Sequence, residues 1–272
     1  MLNKYPVLFS SFDPFGSVLK LINNTTTDFK INKIIGKHEV KTHFVPIKYR
    51  IFGGLLQSLN IQFGNFIEVL MQKIIEEEKH LEIVSEISGK KNVLLPLAEE
   101  TDSLIDHFIS DRQNNNDNKL TNKFEQLLKN IVASQQIAKN LITTKHDVDV
   151  LFKDNRSGTY YYIELKYNDD HDTGKFVDIN RKFLKTYAGL VKRLAVKDIK
   201  QLKPILYYLN RKTMKGNIYL PEEKYIYRGE KLFEEFLTMK YNDLDGYLKN
   251  VSEDKEIVEI FDNLYKKIRF VK

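Results

Sequence analysis

The chain contains no cysteine. Without thiols it can form neither disulfide bonds nor thiolate zinc sites, and it has no cysteine nucleophile, which agrees with a cytoplasmic location. It also lacks an N-terminal apolar signal segment and any long apolar stretch, so we expect neither secretion by a signal peptide nor a membrane span.

Motifs that bind nucleotide cofactors are absent as well. There is no glycine-rich phosphate loop and no dinucleotide fingerprint, and the six histidines lack the spacing of metal ligands. A nucleotide-cofactor enzyme is therefore not expected. With 272 residues the chain can bury a full core. We predict one domain over 1–272, mostly helical over 1–140, with a hairpin and a basic region over 141–272.

The most informative stretch, residues 146–168, has the pattern of a β-hairpin. Its first arm alternates aspartate with valine and continues into Leu151 and Phe152. Its second arm, 160–166, begins with three tyrosines and an isoleucine, which favour strands. The segment between the arms, Asp-Asn-Arg-Ser-Gly at 154–158, consists of turn residues.

The register of this hairpin decides which polar side chains share a face. If Asp154 and Thr159 close the loop, Asp149 lies opposite Glu164, and Asp147 lies opposite Lys166. That register predicts three carboxylates and one ammonium group on a single patch.

Such a patch favours a divalent metal. Carboxylates packed together repel one another, and Mg²⁺ takes one or two carboxylates, waters and phosphate oxygens as ligands. Lys166 could then touch the attacking water or the phosphate. The alternative is an exposed hairpin face with a cross-strand salt bridge.

These residues resemble a known family. Asp149, fourteen intervening residues and then Glu164-Leu165-Lys166 resemble the PD-(D/E)XK nuclease motif. The proline of that motif is missing before both aspartates, which leaves open which of them is the metal ligand. We favour Asp149, because the ligand aspartate of the family usually leads directly into an apolar strand.

Two further stretches, 58–68 and 166–176, resemble the type II restriction endonucleases of the group that includes TdeIII, MjaII and HinfI. The resemblance implies a restriction-endonuclease-like α/β core, with a mixed sheet of about five strands flanked by helices. It also implies Mg²⁺-dependent cleavage of double-stranded DNA at a short palindromic site, interrupted or continuous, with 5′-phosphate products.

The resemblance also assigns roles to individual residues. Asp149, Glu164 and the carbonyl of Leu165 would hold the metal, and Lys166 would orient the attacking water. Asp147, or Glu68 in the helical element Gly64-x-x-x-Glu68, would hold a second ion.

Basic residues are concentrated after the hairpin. Residues 175–231 contain fifteen lysines and arginines against five acidic residues, which indicates a polyanionic partner or, alternatively, a solvated lysine-rich surface. A helix predicted over 178–197 places three cations on one side, where we expect them to contact DNA phosphates: Arg181, Lys185 and Lys192.

The loop after a predicted strand at 204–209 is expected to contact base edges through Arg211, Lys212, Lys215 and Asn217. Further DNA contacts are predicted for Asn168, His171 and Lys175. The other predicted elements are helices at 51–59, 64–80, 103–109, 120–141 and 254–270 and strands at 92–97 and 224–228, with a loop at 111–119.

A palindromic target favours a homodimer, and a restriction enzyme has a cognate DNA methyltransferase as its genetic partner. Two other functions remain open from the sequence. A DNA repair or recombination nuclease would use the same residues on branched or damaged DNA. A non-catalytic DNA-binding module would need neither Glu164 nor Lys166.

Overall fold

The structure, a computed structural model, describes residues 12–114, 119–167, 169 and 171–270. The chain divides into two compact units, which are Ile74–Thr238 and the combination of Met1–Lys73 with Met239–Lys272. We call them the sheet unit and the helical unit. The single nuclease domain over 1–272 stays a prediction.

The elements are, in chain order, α1 (Pro14–Thr25), α2 (Asp28–Glu39), α3 (Ile47–Glu76), β1 (Leu81–Ile83), β2 (Gly89–Ala98), α4 (Glu99–Asn114), α5 (Leu120–Ile137), β3 (Leu141–Val148), β4 (Val150–Asp154), β5 (Thr159–Lys166), α6 (Thr173–Arg193), β6 (Leu202–Tyr208), α7 (Glu222–Tyr225), β7 (Ile226–Arg228), α8 (Glu230–Phe236), α9 (Tyr241–Ser252) and α10 (Lys255–Ile268). None of the helices in the described ranges is long and apolar enough to cross a membrane.

The helical unit contains α1, α2, most of α3, α9 and α10. The prediction of separate helices at 51–59 and 64–80 is wrong, because α3 is continuous over Ile47–Glu76. Buried apolar residues recur at helical spacing from Ile51 through Leu59 to Phe66 and beyond, and no proline interrupts them.

The sheet unit is built on a mixed sheet. Within its described residues, five strands follow the order β1-β4-β5-β6-β7. The pairs β1/β4 and β4/β5 are antiparallel, and β5/β6 and β6/β7 are parallel. This confirms the predicted α/β core with about five strands. A second, antiparallel sheet consists of β2 and β3.

The central strands are buried on both faces, as their aromatic and branched residues require. Tyr161–Leu165 of β5 and Pro204–Tyr208 of β6 are all buried, which is typical of strands covered by helices. Helix α6 covers this core, with the rings of Phe183 and Tyr162 stacked at 5.4 Å. It also lies close to β2 at Gly189, where a Cβ atom would come within 2.6 Å of Leu95 Cβ.

The hairpin register agrees with the sequence prediction along its whole ladder. Asp154 pairs with Thr159, and Val150 pairs with Ile163. The first arm is nevertheless interrupted at Asp149, which forms a bend between β3 and β4. The two sides of this bend therefore belong to different sheets.

Several element ends differ from the predictions. Helix α4 extends over Glu99–Asn114, beyond the predicted helix at 103–109, and it includes residues 111–114 of the predicted loop. Residues 115–118 of that loop lie outside the described residues. Helix α5 ends at Ile137 because the next residue, Ala138, has an extended backbone, rather than reaching 141. Helix α6 begins five residues earlier than predicted, since Asp172 caps it by accepting a hydrogen bond from the Lys175 backbone N–H.

Candidate active site

Asp149 occupies the bend between β3 and β4 and is 4 % exposed. Its Oδ2 accepts a hydrogen bond of 2.8 Å from the backbone N–H of Leu165 in β5. The carboxylate therefore takes the place of a backbone acceptor at the end of the β4/β5 ladder. This contact holds Asp149 beside the next polar residues of β5.

Glu164 is 1 % exposed, and three side chains form hydrogen bonds or ion pairs with its two oxygens. The Tyr162 hydroxyl donates to Oε2 at 2.8 Å. The Nζ atoms of Lys166 and Lys182 lie 2.8 and 3.1 Å from Oε1, and both donate hydrogen bonds to it.

These partners set the ionisation of Glu164. Burial by itself would raise the pKa of this carboxyl group. The charges of Lys166 and Lys182 and the hydrogen bonds from Lys166 and Tyr162 more than offset burial, and the pKa falls to about 2. Glu164 is thus a buried, ionised carboxylate at neutral pH.

Three oxygen atoms surround the Lys166 ammonium group. Its Nζ lies 2.8 Å from Glu164 Oε1, 2.9 Å from the Leu165 carbonyl oxygen and 3.7 Å from Asp149 Oδ2. The Leu165 carbonyl points to the same side of β5 as the N–H group that Asp149 binds. The hairpin therefore directs three oxygens toward one positive charge.

This set of oxygens fits a divalent metal ion. Two carboxylates and one carbonyl are the ligands that hard cations prefer, and waters and phosphate oxygens complete their shell. The ammonium group of Lys166 already shows that a cation is stabilised at this point. Asp149, Glu164 and Leu165 are the residues that would hold the ion.

The predicted patch of three carboxylates is wrong. Asp147 lies in β3, whose partner is β2, so it does not pair with Lys166. Its Oδ1 accepts a 2.9 Å hydrogen bond from the backbone N–H of Asn92, at the irregularity of β2 where Asn92 has a φ of 48°. Among the described residues, no three acidic or histidine side chains are grouped as metal ligands. A metal-binding role for Asp147 stays a prediction, which this contact does not favour.

Sequence reasoning missed a hydrogen-bonded chain behind Glu164. The buried Thr186 hydroxyl lies 2.9 Å from Nδ1 of His146 and is also a hydrogen-bond partner of Tyr162, which in turn binds Glu164. Burial and the charge of Lys182 lower the pKa of His146. Alternation along β5 places Tyr162 and Glu164 on one face, which is the signal that could have identified Tyr162.

The predicted phosphate-binding side of α6 faces other helices. Arg181 forms an ion pair of 2.8 Å with Asp106 of α4, and Lys185 one of 2.6 Å with Asp102. Lys192 donates to the carbonyl of Gln135 in α5 at 2.8 Å. These cations therefore already have protein partners, and DNA contacts by these three residues stay predictions that the structure does not favour.

The loop after β6 is held by several contacts. The Met214 N–H donates to the buried Asp169 carboxylate at 2.7 Å, and Asp169 forms an ion pair of 3.0 Å with Arg228. Asn217 is occupied by structural contacts, because its Oδ1 accepts from the N–H groups of Tyr219 and Leu220.

The remaining predicted DNA contacts differ in their surroundings. Lys175 and Lys212 are exposed, and Lys215 donates to the His171 carbonyl at 3.1 Å. Arg211 forms an ion pair of 2.7 Å with Glu230. Asn168 lies outside the described residues.

Glu68 lies in α3 and belongs to the helical unit. Its predicted role at a metal stays a prediction.

A buried Asp and Glu beside a partly exposed Lys, with their oxygens converging at the end of a hairpin in a mixed sheet, define the class of metal-dependent nucleases that the sequence resembles. Comparison with known proteins identifies the family within this class. Residues 16–252 match the family model described as "Type II restriction endonuclease, HinfI". The chain is 47 % identical over 256 residues to the type II restriction enzyme HinfI of Haemophilus influenzae. The aligned region covers 94 % of this chain and 96 % of that protein. No solved structure matches significantly.

The chain therefore belongs to the HinfI family of type II restriction endonucleases. It is a DNA endonuclease with sequence-specific cleavage, and family membership indicates a divalent metal cofactor. The restriction enzyme predicted from the sequence is confirmed. No finding favours the repair nuclease or the DNA-binding module.

Proposed function

We propose that Asp149, Glu164 and the Leu165 carbonyl bind Mg²⁺ and that Lys166 acts on the attacking water, in an enzyme that cuts double-stranded DNA at a short palindromic site. One observation carries the assignment of the site. Three oxygens from these residues lie 2.8–3.7 Å from the Lys166 ammonium group. Mg²⁺ fits this donor set because it prefers oxygen ligands and retains waters that a phosphate can replace.

The residues divide the work of hydrolysis. Glu164 is held ionised mainly by the charges of Lys166 and Lys182 and is oriented by Tyr162, so it can bind a cation without first losing a proton. When bound, the ion would polarise the scissile phosphate and lower the pKa of a coordinated water. Lys166 would orient the water and offset the charge that develops on the phosphate. The attacking oxygen bonds to phosphorus as the bond to the 3′ oxygen breaks, leaving 5′-phosphate and 3′-hydroxyl ends.

Binding of the duplex is proposed to involve the exposed Lys175 of α6 and the exposed Lys212 of the loop after β6, together with Lys215 of that loop. The subunits would form a homodimer, since a two-fold symmetric target is matched by a two-fold symmetric protein. A cognate DNA methyltransferase would protect the host genome. Light scattering of the protein–DNA complex tests the homodimer, and two subunits per duplex are expected.

Substitution of the site residues tests the catalytic assignment. Glu164→Gln and Lys166→Met should each lower the single-turnover cleavage rate by a factor on the order of 10³, because each removes a charge acting at the reacting phosphate. Binding to DNA without a divalent ion should persist, and it should strengthen in Glu164→Gln, since two ammonium groups lose their carboxylate.

Glu86→Gln is the matched control, because Glu86 is an exposed carboxylate in the same unit. It should cleave an unmethylated plasmid at the wild-type rate. Rates near wild type for both site variants would contradict the proposed catalytic centre.

A further inference from the structure

Lys182 shares one buried oxygen with Lys166. The two Nζ atoms lie 3.1 and 2.8 Å from Glu164 Oε1, while the Glu164 side chain is 1 % exposed. Lys182 differs from Lys166 in its access to solvent, with 41 % of its side chain exposed against 23 %. It approaches the carboxylate from α6, whereas Lys166 approaches from β5.

The neighbouring cations of α6 have other partners. Arg181 and Lys185 form ion pairs with Asp106 and Asp102 of α4. Lys182 lies about 100° around the helix from Arg181. It therefore faces Glu164 rather than the carboxylates of α4. Its charge is therefore committed to the candidate active site.

Charge balance shows what this arrangement requires on metal binding. Asp149 and Glu164 carry two negative charges, and Lys166 and Lys182 carry two positive ones. A divalent ion bound by Glu164 Oε1 would add two positive charges where both ammonium groups now lie. Because like charges at contact distance repel one another strongly, an ammonium group has to leave this oxygen, and the more exposed Lys182 can move toward solvent and substrate.

We propose that Lys182 is a second cation of the active site, which neutralises Glu164 before the metal binds and then contacts the scissile phosphate. This inference rests on the proposed metal-binding role of Glu164. A phosphate diester supplies the negative charge that the displaced ammonium group needs. Lys182 thus links metal binding to substrate binding.

If Lys182 links metal binding to substrate binding, its removal should strengthen metal binding and at the same time lower the cleavage rate. In Lys182→Gln, Mn²⁺ should bind the DNA-free protein several-fold more tightly, as measured by calorimetry, since no second ammonium group competes for Glu164. The maximal single-turnover rate on a supercoiled plasmid at saturating Mg²⁺ should fall by about 100-fold, the lower end of the range observed when one charge-stabilising donor is lost. A purely structural role would not tighten metal binding.

Two further variants complete the test. Lys182→Arg keeps the charge and should recover much of the rate. Arg193→Gln removes one charge from the exposed end of the same helix, and it should match the wild-type protein in Mn²⁺ affinity and in rate.

The outcomes separate this inference from the proposed function. Unchanged Mn²⁺ affinity or an unchanged maximal rate in Lys182→Gln would overturn it, as would a Lys182→Arg rate no better than that of Lys182→Gln. If Glu164→Gln and Lys166→Met are inactive in the same assays, the proposed catalytic centre stands whatever Lys182 does. If those two variants cleave normally, the catalytic centre itself is misassigned and this inference falls with it.

Discussion

The hairpin and helix α6 are both rich in charged residues, but they neutralise charge in different ways. At the hairpin, Asp149 and Glu164 are buried and share the ammonium group of Lys166, and Glu164 also pairs with that of Lys182. Along α6, Arg181 and Lys185 are partly exposed and have carboxylate partners on α4.

The difference separates a site from a structural contact. Burying charged side chains is unfavourable unless their interactions or their function offset it, because removing each ion from water costs several kcal/mol. Partly exposed ion pairs between two helices cost little and contribute little. The hairpin is therefore the region where substitution should affect chemistry, and the α6–α4 contact is where it should affect stability alone.

The sharpest test within the hairpin compares its two aspartates. Asp149→Asn should lower the cleavage rate by a factor on the order of 10³, because a proposed metal ligand loses its charge. Asp147→Asn should lower it less than about tenfold, since Asp147 binds the Asn92 N–H and an amide oxygen can still accept that bond. Single-turnover rates at saturating Mg²⁺ measure both. A greater loss in Asp147→Asn than in Asp149→Asn would reverse the assignment.

A second test concerns the group that orients Glu164. Tyr162→Phe removes the 2.8 Å hydrogen bond to Oε2 without a large change in shape. Partners that orient metal ligands typically contribute about 10- to 100-fold in metal affinity or activity. We expect the Mg²⁺ concentration for half-maximal cleavage to rise within that range. Tyr160→Phe, at a partly exposed position of β5, is the control.

Acid should weaken the folded state through Glu164. Its pKa is about 2 in the folded protein against an ordinary value of 4.5, so its ionic contacts stabilise the fold fully above pH 4.5 and are lost as the pH falls toward 2. In urea unfolding, the stability difference between the wild-type protein and Glu164→Gln should be constant from pH 7 to pH 5. It should shrink between pH 4.5 and pH 3. A constant difference down to pH 3 would contradict the depressed pKa.

The smallest effects are expected along α6. The double substitution Arg181→Gln and Lys185→Gln should destabilise the protein by roughly 1 kcal/mol or less, as for exposed ion pairs. The slope of log affinity against log salt should stay unchanged, whereas each lost phosphate contact would reduce it by about 0.9. DNA-binding titrations at several salt concentrations measure the slope. A flatter slope would restore the predicted role of this side of α6 in DNA binding.

The sequence alone determined the hairpin and its register. A short loop of turn residues connects two strands with alternating polarity, so the pairing of Val150 with Ile163 follows from local geometry. That register brought Asp149, Glu164 and Lys166 together, because Asp149 directly precedes β4 and therefore lies beside the end of β5, where it accepts from the Leu165 N–H. The mixed α/β sheet followed from the resemblance to the nuclease family that these residues carry.

Tertiary structure decided what each charge meets. Asp147 was separated from Asp149 because the chain changes sheets at the bend, and its partner Asn92 lies far away in sequence. Helical periodicity correctly placed Arg181 and Lys185 on one side of α6. The spacing of these residues cannot indicate that α4 packs against that side. The roles of Tyr162 and Lys182 likewise depended on packing between α6 and β5. Contacts between distant segments depend on the whole core, and one segment's pattern of residues cannot specify them.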